Sequence, residues 1–178
     1  MRYTPPKKTL GPRAKKNSSD RRVSFNRILT DPQRGARCEG CGQNGVTLQW
    51  AHVAGRSGSG ACLGEWANSP ELTTALCADN IMVGKRGCHA RYDLRFDRTV
   101  DRQLRRCLMA AAAVRIQARL RAEVGKSRAL VTFSEERVTA DRALEIIRMT
   151  VDELVHLGVD PLKRPASRVI PFSGSGVA

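Results

Sequence analysis

The sequence predicts an α+β protein in which a small cysteine-stapled module sits between a basic N-terminal arm and two long C-terminal helices. Three observations predict it. Four cysteines fall in two pairs, at positions 38 and 41 and at 77 and 88. Two stretches, from about Asp97 to Val124 and from about Thr139 to Leu157, repeat apolar residues at helical spacing. Aromatic residues make up only 4% of the 178, too little large apolar area to hold a compact unit without a staple.

Residues 1–36 form the arm. Up to position 37, Lys and Arg stand at 2, 7, 8, 13, 15, 16, 21, 22, 27, 34 and 37, against Asp20 and Asp31 alone. Prolines at 5, 6 and 12 argue against a packed element before about Ser19, so the arm is expected to be largely disordered. A short helix from Ser19 or Asp20 to Leu29 would end ahead of Asp31-Pro32. Such an arm is either a solubilising tail or a segment that tracks a phosphate backbone.

The whole chain carries a net charge of +14, with 31 Lys and Arg against 17 Asp and Glu. This points to a nucleic-acid partner, DNA first and RNA as the alternative. The N-terminus lacks the apolar stretch of a signal peptide, and the longest apolar run, Cys107 to Val114, is too short for a bilayer. No membrane partner and a cytoplasmic location are therefore expected. A reducing compartment favours metal ligation or free thiols over disulfides.

Residues 37–97 hold the metal-competent clusters. Cys38-Glu-Gly-Cys41 is a tight turn that can aim two sulfurs at one ion, and Cys77 with Cys88 supplies the second pair. The ten residues between them carry Gly84 and Gly87 and read as a loop that can be excluded without moving its ends. Four thiolates would close a structural zinc site; the other readings are buried free cysteines, or a redox dithiol at 38 and 41. Cys62 and Cys107 have no neighbouring partner in sequence.

His52 lies in the alternating segment Leu48-Gln-Trp-Ala-His-Val-Ala-Gly-Arg56, which reads as the return strand of a hairpin begun after Cys41. A helix starting at Cys88 would put His89 and Asp93 on one face, with β-carbons about 5–6 Å apart. That suits two ligands of one ion, with His52 facing them from the strand as general base. His156 stands alone on the last helix and reads as an ordinary residue.

Taken together, Cys-x-x-Cys, Trp-Ala-His-Val-Ala-Gly-Arg, Cys77 and Cys88-His-Ala-Arg-Tyr-Asp93 resemble the His-Asn-His (HNH) endonuclease family. The likeness is closest to its zinc-stapled phage branch, which includes RecA-dependent phage nucleases, and covers about a third of the chain. It implies a ββα-metal module that hydrolyses DNA. In it His52 would activate water, Asn68 would be the middle asparagine, and His89 and Asp93 would hold a catalytic divalent ion (Mg, Mn, Ni or Zn). Cys38, Cys41, Cys77 and Cys88 would hold structural zinc, and Arg56 would contact a phosphate. If phage-encoded, the protein would act in the host cytoplasm, in recombination or DNA processing.

Two positions depart from the family pattern. Ala51 stands where many members place a metal ligand. Glu71 precedes Leu72 where the asparagine usually stands, so Asn68 would serve through a shifted loop, or Glu71 would bind the ion. Both departures favour the rival reading, a catalytically inactive zinc-stapled module that binds DNA or RNA.

Residues 98–158 form the helical region. Val100, Leu104, Leu108, Ala111, Ile116 and Leu120 line its first helix, with arginines at 102, 105, 106, 115, 119 and 121 expected to grip phosphates. Leu144, Ile147, Val151 and Leu154 line the second, with Gly158 as its terminator. The two would pack on each other, on a protein partner, or on a second copy as a homodimer. Ala129 to Phe133 between them reads as extended, and residues 159–178 as a disordered tail.

Overall fold

The structure, a computed structural model, describes residues 12–54, 58–80, 82, 84–94, 98–124 and 137–163. Helix α1 (Pro12–Thr30) opens on a proline, whose fixed φ suits a first helical turn, and stops ahead of Asp31-Pro32. It begins earlier than the short helix expected from the sequence, so much of the basic arm is helical rather than disordered. The correction has a tertiary cause: Asp20, Ser24 and Ile28, four apart, form a buried face on the rest of the protein.

Strand β1 (Leu48–His52) pairs antiparallel with β2 (Thr73–Cys77), Leu48 opposite Cys77 and His52 opposite Thr73. The partner of β1 is therefore downstream. Near Cys41 there is only an isolated bridge between Arg37 and Asn44, so the expected local hairpin does not form. All five residues of β2 are buried, because α1 covers the strand as well as α2 (Cys88–Leu94). Two 3-10 segments, Gly58–Asn68 and Pro70–Leu72, connect the strands, and the first kinks at Gly64, where φ is 53°.

Helices α3 (Arg98–Val124) and α4 (Ala140–His156) lie where periodicity puts them. Thr139 caps α4 by accepting from the backbone N–H of Arg142 at 3.2 Å. Past its other end Gly158 turns left-handed, and Val159 N–H returns to the Leu154 carbonyl at 3.0 Å. Leu108, Ala112, Ile116 and Leu120 of α3 belong to one buried cluster with Leu144, Ile147, Val151 and Leu154 of α4. Alanines at 112 and 113, fully buried, let the two helices approach closely. The cluster continues into Leu63, Trp66, Leu72 and Leu76, so the cysteine module and the helical region share one core.

A buried ionic hub ties the layers together. Glu39 accepts from Arg34 Nε at 3.1 Å and from Arg115 Nη1 at 3.2 Å. Arg34 also donates to the carbonyls of Pro70 and Thr73, both at 2.7 Å, and Arg115 Nε to that of Glu71 at 3.0 Å. Arg119 reaches Glu123 at 2.8 Å and Glu71 at 3.9 Å. Burial, then the charge of Arg34, pulls Arg115 down to about 10 against the pull of Glu39 and Glu71. Arg34, Arg115 and Arg119 thus hold the fold together, and the expectation that they grip phosphates is corrected by their burial and their partners. Arg22, Arg86, Arg102 and Arg121 do remain exposed.

Candidate functional site

The first cysteine pair sits on a turn docked against β2. Gly42, at φ 75°, bends the chain so that its N–H returns to the Cys38 carbonyl at 2.7 Å. Glu39 exchanges bonds with Ala75 in β2, its N–H at 2.9 Å and its carboxylate at 3.2 Å. Cys77 ends β2 and Cys88 begins α2, with a small loop closed between them by paired bonds of Asn80 and Lys85 at 2.8 and 3.1 Å. The expected exclusion of that loop depends on Gly87. A β-carbon there would lie 2.3 Å from the backbone of Cys77 and Ala78.

The sulfurs of Cys38, Cys41, Cys77 and Cys88 lie within 4.8 Å of one another, Cys41 and Cys77 at 3.9 Å. Two backbone N–H groups point at them, Cys77 to the Cys38 sulfur and Cys88 to the Cys77 sulfur, each at 3.2 Å. Burial pushes the Cys38 thiol up, but the N–H groups of Cys77, Cys41 and Gly40 outweigh it and its pKa falls. Cys77 and Cys88 are both raised, by burial first and also by the charge of Cys38. Four thiols so placed cannot all ionise without a cation, and this donor set could hold a metal such as zinc. Among the described residues no other group of three or more His, Cys, Asp or Glu converges in this way.

The other predicted site residues form two pairs. His52 Nε2 meets Asn68 Oδ1 at 3.1 Å. A carbonyl oxygen can only accept, so Nε2 carries the hydrogen and Nδ1 keeps the lone pair when the ring is neutral. Asn68 reaches this position from a buried corner, its own carbonyl accepting from Ser24 of α1. On α2, His89 Nε2 stands 3.3 Å from Asp93 Oδ2, and Nδ1 bonds Gln49 Oε1 at 2.6 Å.

Gln49 of β1 reaches α2 through its bond to His89, and the Trp50 and His52 rings lie 4.2 Å apart. Ala51, between them, is 3% exposed. Asn68 meets His52, whereas Glu71, the alternative ligand for the ion, is drawn to the arginine hub. Tyr92, at mid-α2, pins the strand end by donating to the Val53 carbonyl.

Arg56, the side chain of Cys62, residues 1–11, the stretch Ala129 to Phe133 and the tail beyond residue 163 lie outside the described residues. Cys107 and His156 are exposed. No helix among the described residues is long and apolar enough to cross a membrane. Sequence reasoning missed Ser24, Trp50, Gln49 and Tyr92; the signal available was a lone serine on the buried stripe of α1 and a tyrosine four residues after Cys88. Compared with family models, with curated proteins and with solved structures, the chain finds no match in any of the three.

Proposed function

We propose that this chain is a metal-dependent, HNH-like endonuclease that hydrolyses DNA phosphodiester bonds with little sequence preference. The observation that carries the reading is the His52–Asn68 pair at the end of β1, with His89 and Asp93 together on the helix that follows β2. In this reading the four cysteines hold structural zinc and leave no open position for chemistry.

His52 is the general base. Asn68 holds its Nε2–H, so the Nδ1 lone pair takes a proton from water as the oxygen attacks phosphorus and the phosphorus–oxygen bond to the leaving strand breaks. His89 and Asp93, 3.3 Å apart, would hold the divalent ion. When bound, that ion supplies positive charge to the departing oxygen. Asp93, the more exposed of the pair, leaves the site open to a large substrate. The exposed arginines 22, 86, 102 and 121 add sequence-independent attraction for phosphates.

A second reading, a zinc-stapled module that binds nucleic acid without cutting it, is favoured by one observation. Ala51 is buried where a third ligand would stand, and no third His, Cys, Asp or Glu joins His89 and Asp93 among the described residues. Nicking of supercoiled plasmid by the zinc-loaded protein, compared across magnesium, manganese, nickel and no added ion, separates the two. Ion-dependent nicking supports the nuclease, and tight binding without nicking under every ion supports the module.

A further inference from the structure

Helix α1 brings two residues to the His52 corner from outside the cysteine module. Ser24 is fully buried and donates to the Asn68 carbonyl. Arg21, three residues earlier and on the same side of the helix, lays its guanidinium over the Trp50 ring, 5.2 Å from the centroid. That ring packs edge-on against His52 at 4.2 Å. A cation is thereby held one ring away from the imidazole assigned as base.

The bonding state of Arg21 sets it apart from the other arginines near the sheet. Arg34, Arg115 and Arg119 are tied to Glu39, Glu71 and Glu123. The Arg21 side chain is exposed and makes no hydrogen bond or ion pair with any described residue; it rests on the indole. A cation–π contact engages the charge of a guanidinium without taking up its five N–H groups, which can grip a phosphate through two parallel bonds.

We infer that Arg21 and Trp50 form a phosphate clamp, in which α1 grips the DNA backbone beside His52 and Ser24 keeps the helix in register with Asn68. The clamp rests on the nuclease reading for its substrate but not for its test. It gives the N-terminal segment a specific task, namely binding one phosphodiester of the strand. Trp50 also serves as the reporter. It is one of two tryptophans, and the other, Trp66, is 3% exposed.

The experiment titrates a short single-stranded DNA into the zinc-loaded full chain with no divalent ion added, following tryptophan emission and the salt dependence of binding. Wild type should show a change in emission. Arg21→Gln should lose most of that change, bind about tenfold more weakly, as expected for one charge-assisted contact, and lose about one unit of salt slope. Arg21→Lys should keep the slope and lose part of the affinity. Lys163→Gln, at an exposed lysine beyond α4, should keep the emission change and the affinity.

Identical behaviour of Arg21→Gln and Lys163→Gln in affinity, slope and emission would overturn the clamp while leaving the nuclease reading intact. Arg21-dependent binding by a protein that nicks under no ion would uphold the clamp and remove the nuclease reading. A wild type that binds no DNA would remove both.

Discussion

The four thiols and the two histidine pairs sit at the ends of the same two strands, yet they are held in opposite ways. The thiols are fixed from every side: a left-handed glycine, two N–H bonds to sulfur, a loop that closes only because Gly87 lacks a β-carbon, and Glu39 locking the turn to β2. Three of the four cysteines are buried. The histidines are half-buried and are held through side-chain bonds to Asn68, Gln49 and Asp93. A closed, over-determined donor set suits a structural ion, whereas an open, lightly held pair leaves room for a substrate. The contrast teaches that in this small core one cysteine cluster, able to hold a metal, supplies rigidity so that its neighbours need not.

If so, damage to the two regions should be read by different instruments. The largest effect is expected from Gly87→Ala, which pushes a β-carbon into the Cys77–Ala78 backbone. It should release zinc and unfold the module, because a structural zinc site contributes apparent binding free energy of about 10–16 kcal/mol. Metal content and circular dichroism would check this, with retained zinc at wild-type stoichiometry as the contrary result. Next in size is Glu39→Gln, which leaves Arg34 and Arg115 buried without their carboxylate. A loss of about 3–5 kcal/mol is expected in urea unfolding; a loss under 1 kcal/mol would mean that water replaces the hub.

The pH dependence follows from the thiols. The metal-free fold raises Cys77 and Cys88, so the stability they contribute is present below the ordinary thiol pKa of about 8.5 and is lost as pH rises above it. Cys38, lowered, opposes this with one group against two. Bound metal reverses the sign, since it takes the thiolate form and its affinity grows with pH. Thermal melts of zinc-free and zinc-loaded protein at rising pH should therefore diverge, and parallel curves would argue against ligation by these cysteines. The smallest stability effect belongs to Asp93→Asn. Its side chain is 57% exposed, so unfolding should shift by no more than about 0.5 kcal/mol while ion-dependent cleavage collapses.

The same contrast explains what could be read from sequence. Paired cysteines, the glycine-bearing insert between them and the 3.6-residue periodicity of α3 and α4 are local signals, and the structure puts those elements close to where the signals fall. Pairing of β1 with β2 spans two 3-10 segments, and no local pattern selected it over a hairpin with the nearer chain. Helix α1 carries few apolar residues on its buried face, so only its tertiary contacts show why it is ordered. Charge cannot tell a gripping arginine from a buried one. Arg115, Arg119 and Glu123, four apart on α3, were the one hint that a polar stripe faces inward.

The most direct test of the account is the role of His52. The measurement is plasmid nicking by wild type and His52→Gly in the best divalent ion, with and without added imidazole. Loss of about 10²–10⁴-fold in the variant, with DNA affinity kept and part of the rate returned by imidazole, is what the account predicts. A variant that nicks at the wild-type rate would contradict it.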